Sequence, residues 1–406
     1  MKARVLYITY DGLTDPLGQS QVIPYLLGLS EKGFQLDILS FEKEKAFKDK
    51  SDDIRQVLSN NNIKWLALKY NKSLPGTFYD FIRGLFITLF YLLFKRVSLV
   101  HCRGHYLTSL MAYPWLKMLP KKKYVFDMRG FWADERIEGK LWSLANPLHR
   151  SLYKFFKRIE KKCLRRADNI VTLTQRAKTY IEDNFVTSGY IEVIPCCTDL
   201  DLFNRSTGEQ REEYRTKLRL TDEFVLVYLG SLGTWYMIEE MMDFYRVLKQ
   251  SNQKSKFLIL TKDSSDKIHQ IASHMEDISE EDIIVRSASR EEVPKYLSAS
   301  DASIFFIRPT FSKSASSPTK HGELLGCGLP VICNSNIGDI DTIVLESGTG
   351  IVIHNFSNEQ YEIGAQEILG FNESEAGRLR QTAQEYYSLS SGIEKYNEIY
   401  CNLLVQ

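Results

Sequence analysis

The stretch from Ser316 to Ile332 joins a polar loop, a short helix and a strand, and its residue types are those that bind anions. The loop leads directly into the helix, so free backbone N–H groups and the positive end of the helix dipole face one place. Ser317, Thr319 and Lys320 lie beside that end. One turn later, Glu323 offers a carboxylate that can accept hydrogen bonds from a polyol such as ribose. We therefore predict a phosphate site with a neighbouring ribose site.

The end of this segment carries a second signal. Gly326 and Gly328 close the predicted helix before Val331 and Ile332 enter a strand. The basic loop, the acidic helix residue and the Gly-Leu-Pro exit together resemble the nucleotide-sugar site of glycosyltransferase family 4. The resemblance implies an α/β chain in the GT-B architecture, with two Rossmann-like domains facing a cleft. It also implies a nucleoside diphosphate sugar as the donor substrate, with no cofactor and no metal. An ordinary helix–turn–strand with an incidental glutamate is the alternative.

Short apolar segments with strand character recur along the chain, and a loop and a helical pattern follow each of them. This alternation is typical of a parallel sheet covered on both faces. The segment from Ile191 to Leu200 resembles the family's interdomain joint. We predict an N-terminal acceptor-binding domain over residues 1–198 and a nucleotide-sugar-binding domain over 199–385. A C-terminal helix within 386–406 is expected to cross back to the first domain.

The first strand, from Val5 to Ile8, leads into a loop that ends at Gly18, and we predict a single helix from Gln19 to Lys32. In the family this loop carries glycines that touch the donor diphosphate and the acceptor. Here the loop has one glycine where the family has a Gly-Gly pair, so Gly18 and its neighbour Gln19 are the donor-binding candidates. A turn glycine at the end of a strand is the alternative.

Charged and aromatic residues follow two further strands of the first domain. Polar groups at the C-terminal end of a strand are costly unless they are used. In the family this place often holds a histidine near the donor sugar; Asp127 stands there and is a catalytic candidate. Arg129 and Trp132, with Arg103 and His105 after the preceding strand, are acceptor-binding candidates. The alternative is an Asp–Arg network that fixes the loop.

The glycine loop of the second domain departs from the family's pattern. Gly230 is present, but Ser231 and Tyr236 stand where the family has the arginine and lysine that neutralise the leaving diphosphate. Ala315 replaces the family's first glutamate, eight residues before Glu323. Developing charge on a leaving diphosphate still needs donors. We predict that cations on later loops of the same edge supply them, namely Lys262, Arg308, Lys313 and Lys320.

Composition limits the class of protein. The formal net charge is +1 over 406 residues, which gives no sign of nucleic-acid binding. The seven cysteines are odd in number and several fall within predicted strands or helices, which is typical of a reducing compartment. A strand pattern begins directly after the first four residues, so we expect no signal peptide and a cytoplasmic location.

The segment from Phe78 to Phe94 is rich in Phe, Leu and Ile. With Asp80 and Arg83 inside it, it falls short of the roughly 20 apolar residues that a bilayer span needs. One interpretation is a buried helix. The other is an interfacial helix at the inner leaflet of a membrane, aided by the lysines between 117 and 123. The two are compatible if one face packs in the core. Many enzymes of the resembled family act on lipid-linked acceptors, for example in lipopolysaccharide or capsule synthesis.

The leading hypothesis is a retaining, metal-independent glycosyltransferase. It would move a sugar from a nucleoside diphosphate sugar to a glycan or lipid-linked acceptor facing the cytoplasm. Retention comes from the family resemblance alone. A nucleotide-sugar epimerase of the same fold is one alternative. A degenerate, non-catalytic transferase subunit is another, suggested by the missing Arg, Lys and first Glu. The Gly-x-Gly-x-x-Gly signal of a nicotinamide enzyme is absent after the first strand.

Overall fold

The computed structural model describes residues 3–104 and 106–404, without the side chains of Leu74 and Glu373. The chain divides into two compact units. The first unit contains Met1–Pro195 together with Leu389–Gln406, and the second contains Cys196–Ser388. The sequence-based domain limits, after residues 198 and 385, lie near these divisions.

The first unit contains a seven-stranded parallel sheet in the order β3-β2-β1-β4-β5-β6-β7. Its strands are β1 (Arg4–Thr9), β2 (Gln35–Glu42), β3 (Lys64–Lys69), β4 (Leu99–Arg103), β5 (Lys123–Asp127), β6 (Asn169–Thr172) and β7 (Tyr190–Val193). The central strands are buried along nearly their whole length, as expected when helices cover both faces of a parallel sheet. The helices between the strands are α1 (Pro16–Gln21), α2 (Ile23–Glu31), α3 (Glu44–Asn60), α4 (Leu74–Phe94), α5 (Tyr106–Met118), α6 (Trp132–Glu138), α7 (Pro147–Arg166) and α8 (Gln175–Asn184).

The second unit contains a six-stranded parallel sheet in the order β10-β9-β8-β11-β12-β13. Its strands are β8 (Val225–Leu229), β9 (Lys256–Leu260), β10 (Ile283–Arg286), β11 (Ala302–Phe305), β12 (Val331–Asn334) and β13 (Gly350–Ile353). Its helices are α9 (Gly208–Lys217), α10 (Ile238–Ser251), α11 (Asp266–Ala272), α12 (Val293–Leu297), α13 (Thr319–Gly326), α14 (Ile340–Ser347), α15 (Asn358–Leu369) and α16 (Ala376–Tyr387). Short 3₁₀ turns cover Glu280–Asp282, Phe311–Ala315 and Glu373–Glu375. The predicted fold class is confirmed: both units are Rossmann-like.

The last helix, α17 (Leu389–Leu404), belongs to the first unit. It packs against α2 at close range, because a Cβ atom on Gly28 would lie 2.4 Å from Cδ1 of Ile393. Lys395 of this helix donates to the carbonyl oxygen of Val193 at 2.9 Å. The C-terminal helix is therefore an integral part of the first unit.

The single helix predicted from Gln19 to Lys32 is wrong in one respect: it is two helices, α1 and α2, interrupted at Val22. The physical reason is Pro24, which has no N–H to donate. Its ring would also clash with the carbonyl group of Ser20 in a continuous helix. Pro24 instead occupies the first turn of α2, where a missing N–H is tolerated.

The loop after β1 is held by a buried carboxylate. Glu42, only 2% exposed, accepts hydrogen bonds from the backbone N–H groups of Leu13 at 2.8 Å and Thr14 at 3.1 Å. It also accepts one from the Thr14 hydroxyl at 2.6 Å. Gly18 lets α1 approach this loop, since a Cβ there would lie 2.1 Å from the carbonyl oxygen of Gly12. Gly18 thus has a packing role whatever else it contacts.

We expect Gly18→Ala to lower the free energy of unfolding by about 1–3 kcal/mol, because the added methyl group has no space. The matched control is Gly377→Ala in α16, where a Cβ would meet nothing within 4 Å. That change should be neutral or stabilise by about 0.5–1 kcal/mol. Urea unfolding of the two variants measures both effects. Equal stability of the two variants would contradict the packing role of Gly18.

Helix α4 exposes much of its apolar surface. In the described part of the chain, one helix, Pro75–Phe94, is long and apolar enough to cross a membrane, and 22% of its apolar 18-residue stretch is buried. Asp80 is fully buried and accepts from the Asn71 backbone N–H at 2.9 Å, so its charge faces the protein. The outward face carries six large exposed side chains: Phe78, Tyr79, Phe86, Phe90, Leu93 and Phe94. One face thus packs on the unit while the other is apolar and uncovered.

Candidate functional site

Lys320 is a lysine buried within the second unit. It is the second residue of α13 and only 7% exposed. Its Nζ atom has no hydrogen-bond partner in the described part of the chain. The ammonium lies instead over aromatic rings, 3.8 Å from the ring centre of Tyr236 and 4.6 Å from that of Tyr228. Burial lowers the pKa of Lys320 to about 7, and the nearby Glu323 opposes that shift.

Gly230, directly after β8, leaves the space that the Lys320 ammonium occupies. Its φ angle is +146°, a value that side chains rarely tolerate, and its N–H donates to the Leu260 carbonyl at 3.0 Å. A Cβ at this position would lie 2.4 Å from Nζ of Lys320. The glycine loop and the start of α13 therefore meet around one cation.

Glu323 lies one turn further along α13 and is 7% exposed. Arg290 donates to its carboxylate at 3.2 Å and also lies 5.1 Å from the ring centre of Phe203. Burial raises the pKa of Glu323, and the charges of Arg290 and Lys320 oppose the shift. Two cations thus flank one carboxylate, and Arg290, at 32% exposure, is the member that water reaches.

The other predicted cations approach the same glycine loop. The backbone N–H of Arg308 donates to the Trp235 carbonyl at 2.9 Å, and Nζ of Lys313 lies 3.8 Å from the Trp235 ring centre. A cavity of about 280 Å³ beside the loop is lined by Arg308 and Tyr236, among others. Lys262, after β9, is exposed. Ser231 is also exposed, and its carbonyl accepts from the Tyr228 hydroxyl at 2.5 Å.

The opposite side of α13 is fixed to the two segments where the chain enters and leaves this unit. The hydroxyl of Ser317 accepts from the Cys196 N–H at 3.1 Å, and the carbonyl of Thr319 accepts from the Thr198 hydroxyl at 3.4 Å. His321 is fully buried and contacts the Tyr387 hydroxyl at 2.8 Å. Burial lowers the pKa of His321 to about 3, so the ring is neutral at pH 7. Ser317 and Thr319 therefore anchor the helix through these atoms.

Asp127 lies at the end of β5 in the first unit and is fully buried. Its Oδ2 accepts from the Tyr396 hydroxyl of α17 at 2.9 Å and lies 3.3 Å from Nε2 of His101. His101 contacts the Tyr400 hydroxyl at 2.8 Å through Nδ1. Burial disfavours the ionised form, but Arg129, His101 and Arg103 outweigh it and lower the pKa of Asp127 to about 2. The carboxylate thus fastens α17 to the sheet, and its catalytic role stays a prediction.

The acceptor-side candidates occupy the same edge of the first sheet. Arg103, 2% exposed, donates to Asp11 at 2.7 Å, and Arg129 lies 3.6 Å from Oδ1 of Asp127. Trp132 packs at 4.9 Å from Phe156, with the Arg136 guanidinium 4.8 Å from its ring centre. The Trp132 indole is therefore already packed within an aromatic cluster of the first unit. His105 lies outside the described residues.

The donor candidates Gly18 and Gln19 belong to the first unit, where Gln19 donates to the Thr14 carbonyl at 2.8 Å. Within the second unit the structure brings together Gly230, Lys320 and Glu323, with Arg308 and Lys313 at the same loop. Sequence reasoning missed Arg290 as the partner of Glu323 and the two tyrosines beneath Lys320. Tyr228 and Tyr236 flank the glycine loop in the sequence, which is the signal that was available.

No group of three or more His, Cys, Asp or Glu side chains among the described residues is arranged to hold a metal ion. None of the seven cysteines, all of which the structure describes, takes part in a disulfide bond. Cys327, which is half-buried, and Cys333, which is buried, lie in the second unit, and desolvation raises the pKa of the Cys327 thiol to about 12.

Because the pKa of Asp127 is lower in the folded protein than in the unfolded chain, its ionisation stabilises the fold above about pH 4. That stabilisation disappears as the pH falls toward 2. We expect Asp127→Asn to lower the free energy of unfolding by about 2–3 kcal/mol at pH 7. The deficit should shrink as the pH falls from about 4 to about 2 in urea titrations. Asp52→Asn, at an exposed position of α3, is the control. A deficit independent of pH would contradict the role of the charge.

Solved structures share this fold over essentially the whole chain. Sucrose-phosphate synthase from Thermosynechococcus elongatus superposes with a TM-score of 0.75 at 14% identity, over 100% of both chains. HepE from Anabaena, solved in complex with UDP-glucose, gives 0.70 at 12% identity, over 98% of this chain and 99% of that one. The fold is thus that of the GT-B class.

Sequence comparison gives the family. The family model "Glycosyltransferase Family 4" matches residues 22–202, and "Glycosyl transferases group 1" matches residues 210–386. An uncharacterized glycosyltransferase of Methanocaldococcus jannaschii is 19% identical over 301 residues, 73% of this chain and 72% of that protein. The chain is a GT-B glycosyltransferase, formed from these two family domains.

Proposed function

We propose that the protein transfers a sugar from a nucleoside diphosphate sugar, with retention and without a metal ion, to a lipid-linked glycan at a membrane surface. The observation that carries the donor half is Lys320, a buried cation at the end of β8 with no hydrogen-bond partner among the described residues. A buried charge is unfavourable unless something pairs with it. A diphosphate at the glycine loop would provide the missing anion.

The surrounding residues fit the rest of a nucleotide. Glu323 offers a carboxyl group that the ribose hydroxyls would approach, and Arg290 donates to it at 3.2 Å and opposes the rise in pKa that burial causes. Arg308 and Lys313 border the glycine loop and would neutralise charge on the leaving diphosphate. The family relation and the UDP-glucose bound by HepE support a nucleotide-sugar donor. The first unit would bind the acceptor through Arg103 and Arg129.

For the reaction course we propose attack on the donor face from which the diphosphate departs. The leaving phosphate would accept the acceptor's proton, so that no protein carboxylate needs to act as a nucleophile. Lys320 and Arg308 would stabilise the negative charge that forms on the leaving group. An epimerase would need acid and base groups facing the sugar. In the second unit Glu323 is the carboxylate whose charge acts on Lys320, and Arg290 already pairs with it.

A panel of nucleotide sugars tests the donor site. We expect Lys320→Ala to lower kcat by about 10²-fold, because electrostatic stabilisation is greatest in the transition state. Glu323→Gln should weaken nucleoside diphosphate binding by about 1–3 kcal/mol in calorimetry. Lys254→Ala, an exposed lysine just before β9, is the matched control for the loss of a positive charge. Slow donor hydrolysis without acceptor supports a transferase. An isomerised sugar would instead identify an epimerase, and no binding by any nucleotide would contradict the donor site.

The membrane half of the proposal rests on two exposed stripes of the first unit. The first is the apolar face of α4 described above, whose aromatic side chains suit insertion among lipid acyl chains. The second lies on α7, which contacts α5, as α4 does. Its six exposed basic residues are Arg150, Lys154, Arg158, Lys161, Lys162 and Arg165.

The basic stripe of α7 is well suited to an anionic surface. In the described part of the chain none of the six side chains pairs with a carboxylate, whereas Lys157 of the same helix contacts Asp134 at 2.8 Å. Phe155 and Leu148 are exposed on the same helix, at 45% and 58%. Each cation near an anionic bilayer contributes about 1 kcal/mol, which salt screens. Of the lysines predicted to help, Lys122 donates to the Val97 carbonyl at 2.6 Å and serves the fold.

Vesicle sedimentation tests this surface. Wild-type protein should pellet with phosphatidylglycerol vesicles at low salt and less at high salt. A variant with Arg158, Lys161 and Lys162 changed to glutamate should stay in solution, because its charge repels the surface. The matched control reverses three exposed lysines on other elements of the unit, Lys45, Lys50 and Lys64, and should pellet like wild type. Equal pelleting by both triple variants would contradict a docking role for α7.

A further inference from the structure

The rings beneath Lys320 come from two sides of the glycine loop. Tyr228 belongs to β8, before the loop, and Tyr236 follows it. Phe305 of β11 completes the set, with its ring centre 5.8 Å from Nζ. Together Tyr228, Tyr236 and Phe305 form an aromatic cage that surrounds the ammonium without offering it a hydrogen-bond acceptor. The Tyr228 hydroxyl is directed elsewhere, to the carbonyl of Ser231.

We propose that Tyr236 and Tyr228 are positioning residues: they exclude water from Lys320 and hold its Nζ at the end of β8, where a bound diphosphate supplies the hydrogen-bond acceptors that the cage lacks. The proposal rests on the proposed donor site. Tyr236 occupies the position at which the resembled family has a lysine. The cation that would meet the ligand is therefore Lys320 of α13, and not a lysine of the glycine loop. Contacts with the aromatic cage keep the Lys320 ammonium at the end of β8.

The charged and titratable groups that face the ammonium are few. On α13, Glu323 is the only carboxylate that favours the protonated form. Arg290 pairs with that carboxylate at 3.2 Å and so weakens its effect on Lys320. From β8 and the glycine loop come the Tyr228 and Tyr236 rings, whose faces attract a cation weakly. Phe305 and Gly230 contribute no charge. Burial therefore dominates, and the pKa of Lys320 falls to about 7.

A bound anion changes this balance. A phosphate oxygen beside Nζ favours the charged form, so the pKa of Lys320 rises on binding toward its ordinary value. At pH 8 the free protein carries Lys320 mostly neutral and the complex carries it charged, so binding takes up close to one proton. Affinity should then fall by up to tenfold per pH unit above about pH 7. The terminal phosphate of the ligand is already ionised there, because its pKa is about 6.

The experiment is calorimetric titration at pH 8 with UDP, GDP and ADP in HEPES and in Tris, two buffers with different ionisation enthalpies. For a nucleotide that binds the wild-type protein, the difference in heat should correspond to uptake of about one proton. Lys320→Arg should bind without proton uptake, since a guanidinium stays protonated. This variant separates uptake at Lys320 from uptake elsewhere.

The ring is tested by a pair of variants. Tyr236→Phe keeps the ring and should retain the wild-type proton uptake. Tyr236→Leu removes it and opens the ammonium to water, so uptake at pH 8 should fall by at least half. Nucleotide binding with equal heats in both buffers would overturn the proposal and leave the donor site intact. Equal uptake by the Phe and Leu variants would overturn the role of Tyr236. Failure of all three nucleotides to bind would instead overturn the proposed function.

Discussion

The cost of burying the Lys320 ammonium is the constraint on which the candidate site depends. A lysine side chain away from water normally requires a carboxylate or several hydrogen bonds. Here Glu323, the carboxylate whose charge favours the ammonium, is shared with Arg290, and the ammonium meets ring faces and the backbone of Gly230. Such an arrangement is less favourable than a paired charge. It persists because the surrounding structure fixes α13 firmly.

That rigidity comes from the back of α13. Gly322 has room only for hydrogen, since a Cβ would lie 2.7 Å from Cβ of Tyr387 and 2.8 Å from Oγ1 of Thr198. Thr198 in turn donates its N–H to the Tyr387 carbonyl at 2.7 Å. One face of α13 therefore carries Lys320 and Glu323, and the other is locked to both chain segments that bound the second unit. A ligand on the first face would act directly on a helix tied to those segments.

The sequence predicted the parts of this site that are local. The loop, helix and strand of residues 316–332 were recognisable because their signals are contiguous: a polar N-terminus, a helical turn and a glycine exit. What it did not predict are contacts across the fold. Arg290 meets Glu323 from 33 residues away, and Tyr396 meets Asp127 from 269 residues away. Periodicity locates an element but does not specify which distant side chain faces it. The break at Val22 does have a local signal, which is Pro24. The regular spacing of apolar residues nevertheless predicted one continuous helix.

Two of the buried charged residues, Asp127 and Lys320, differ in the partners that the protein provides for them. Asp127 has Tyr396, His101 and Arg129 around it, all within the first unit, and these partners hold it ionised. Removing these partners would leave a buried, unpaired carboxylate and would destabilise the fold, so the contacts of Asp127 are structural. Lys320 has ring faces and a shared carboxylate instead, so its environment shifts it toward the neutral form. A perturbed group whose charge is balanced by opposite charges within the fold stabilises the protein, whereas a cation without a hydrogen-bonded counter-ion is suited to a ligand. On this argument the edge of the second sheet, around Gly230 and Lys320, is where binding energy for an anion is available, whereas Asp127 stabilises the first unit.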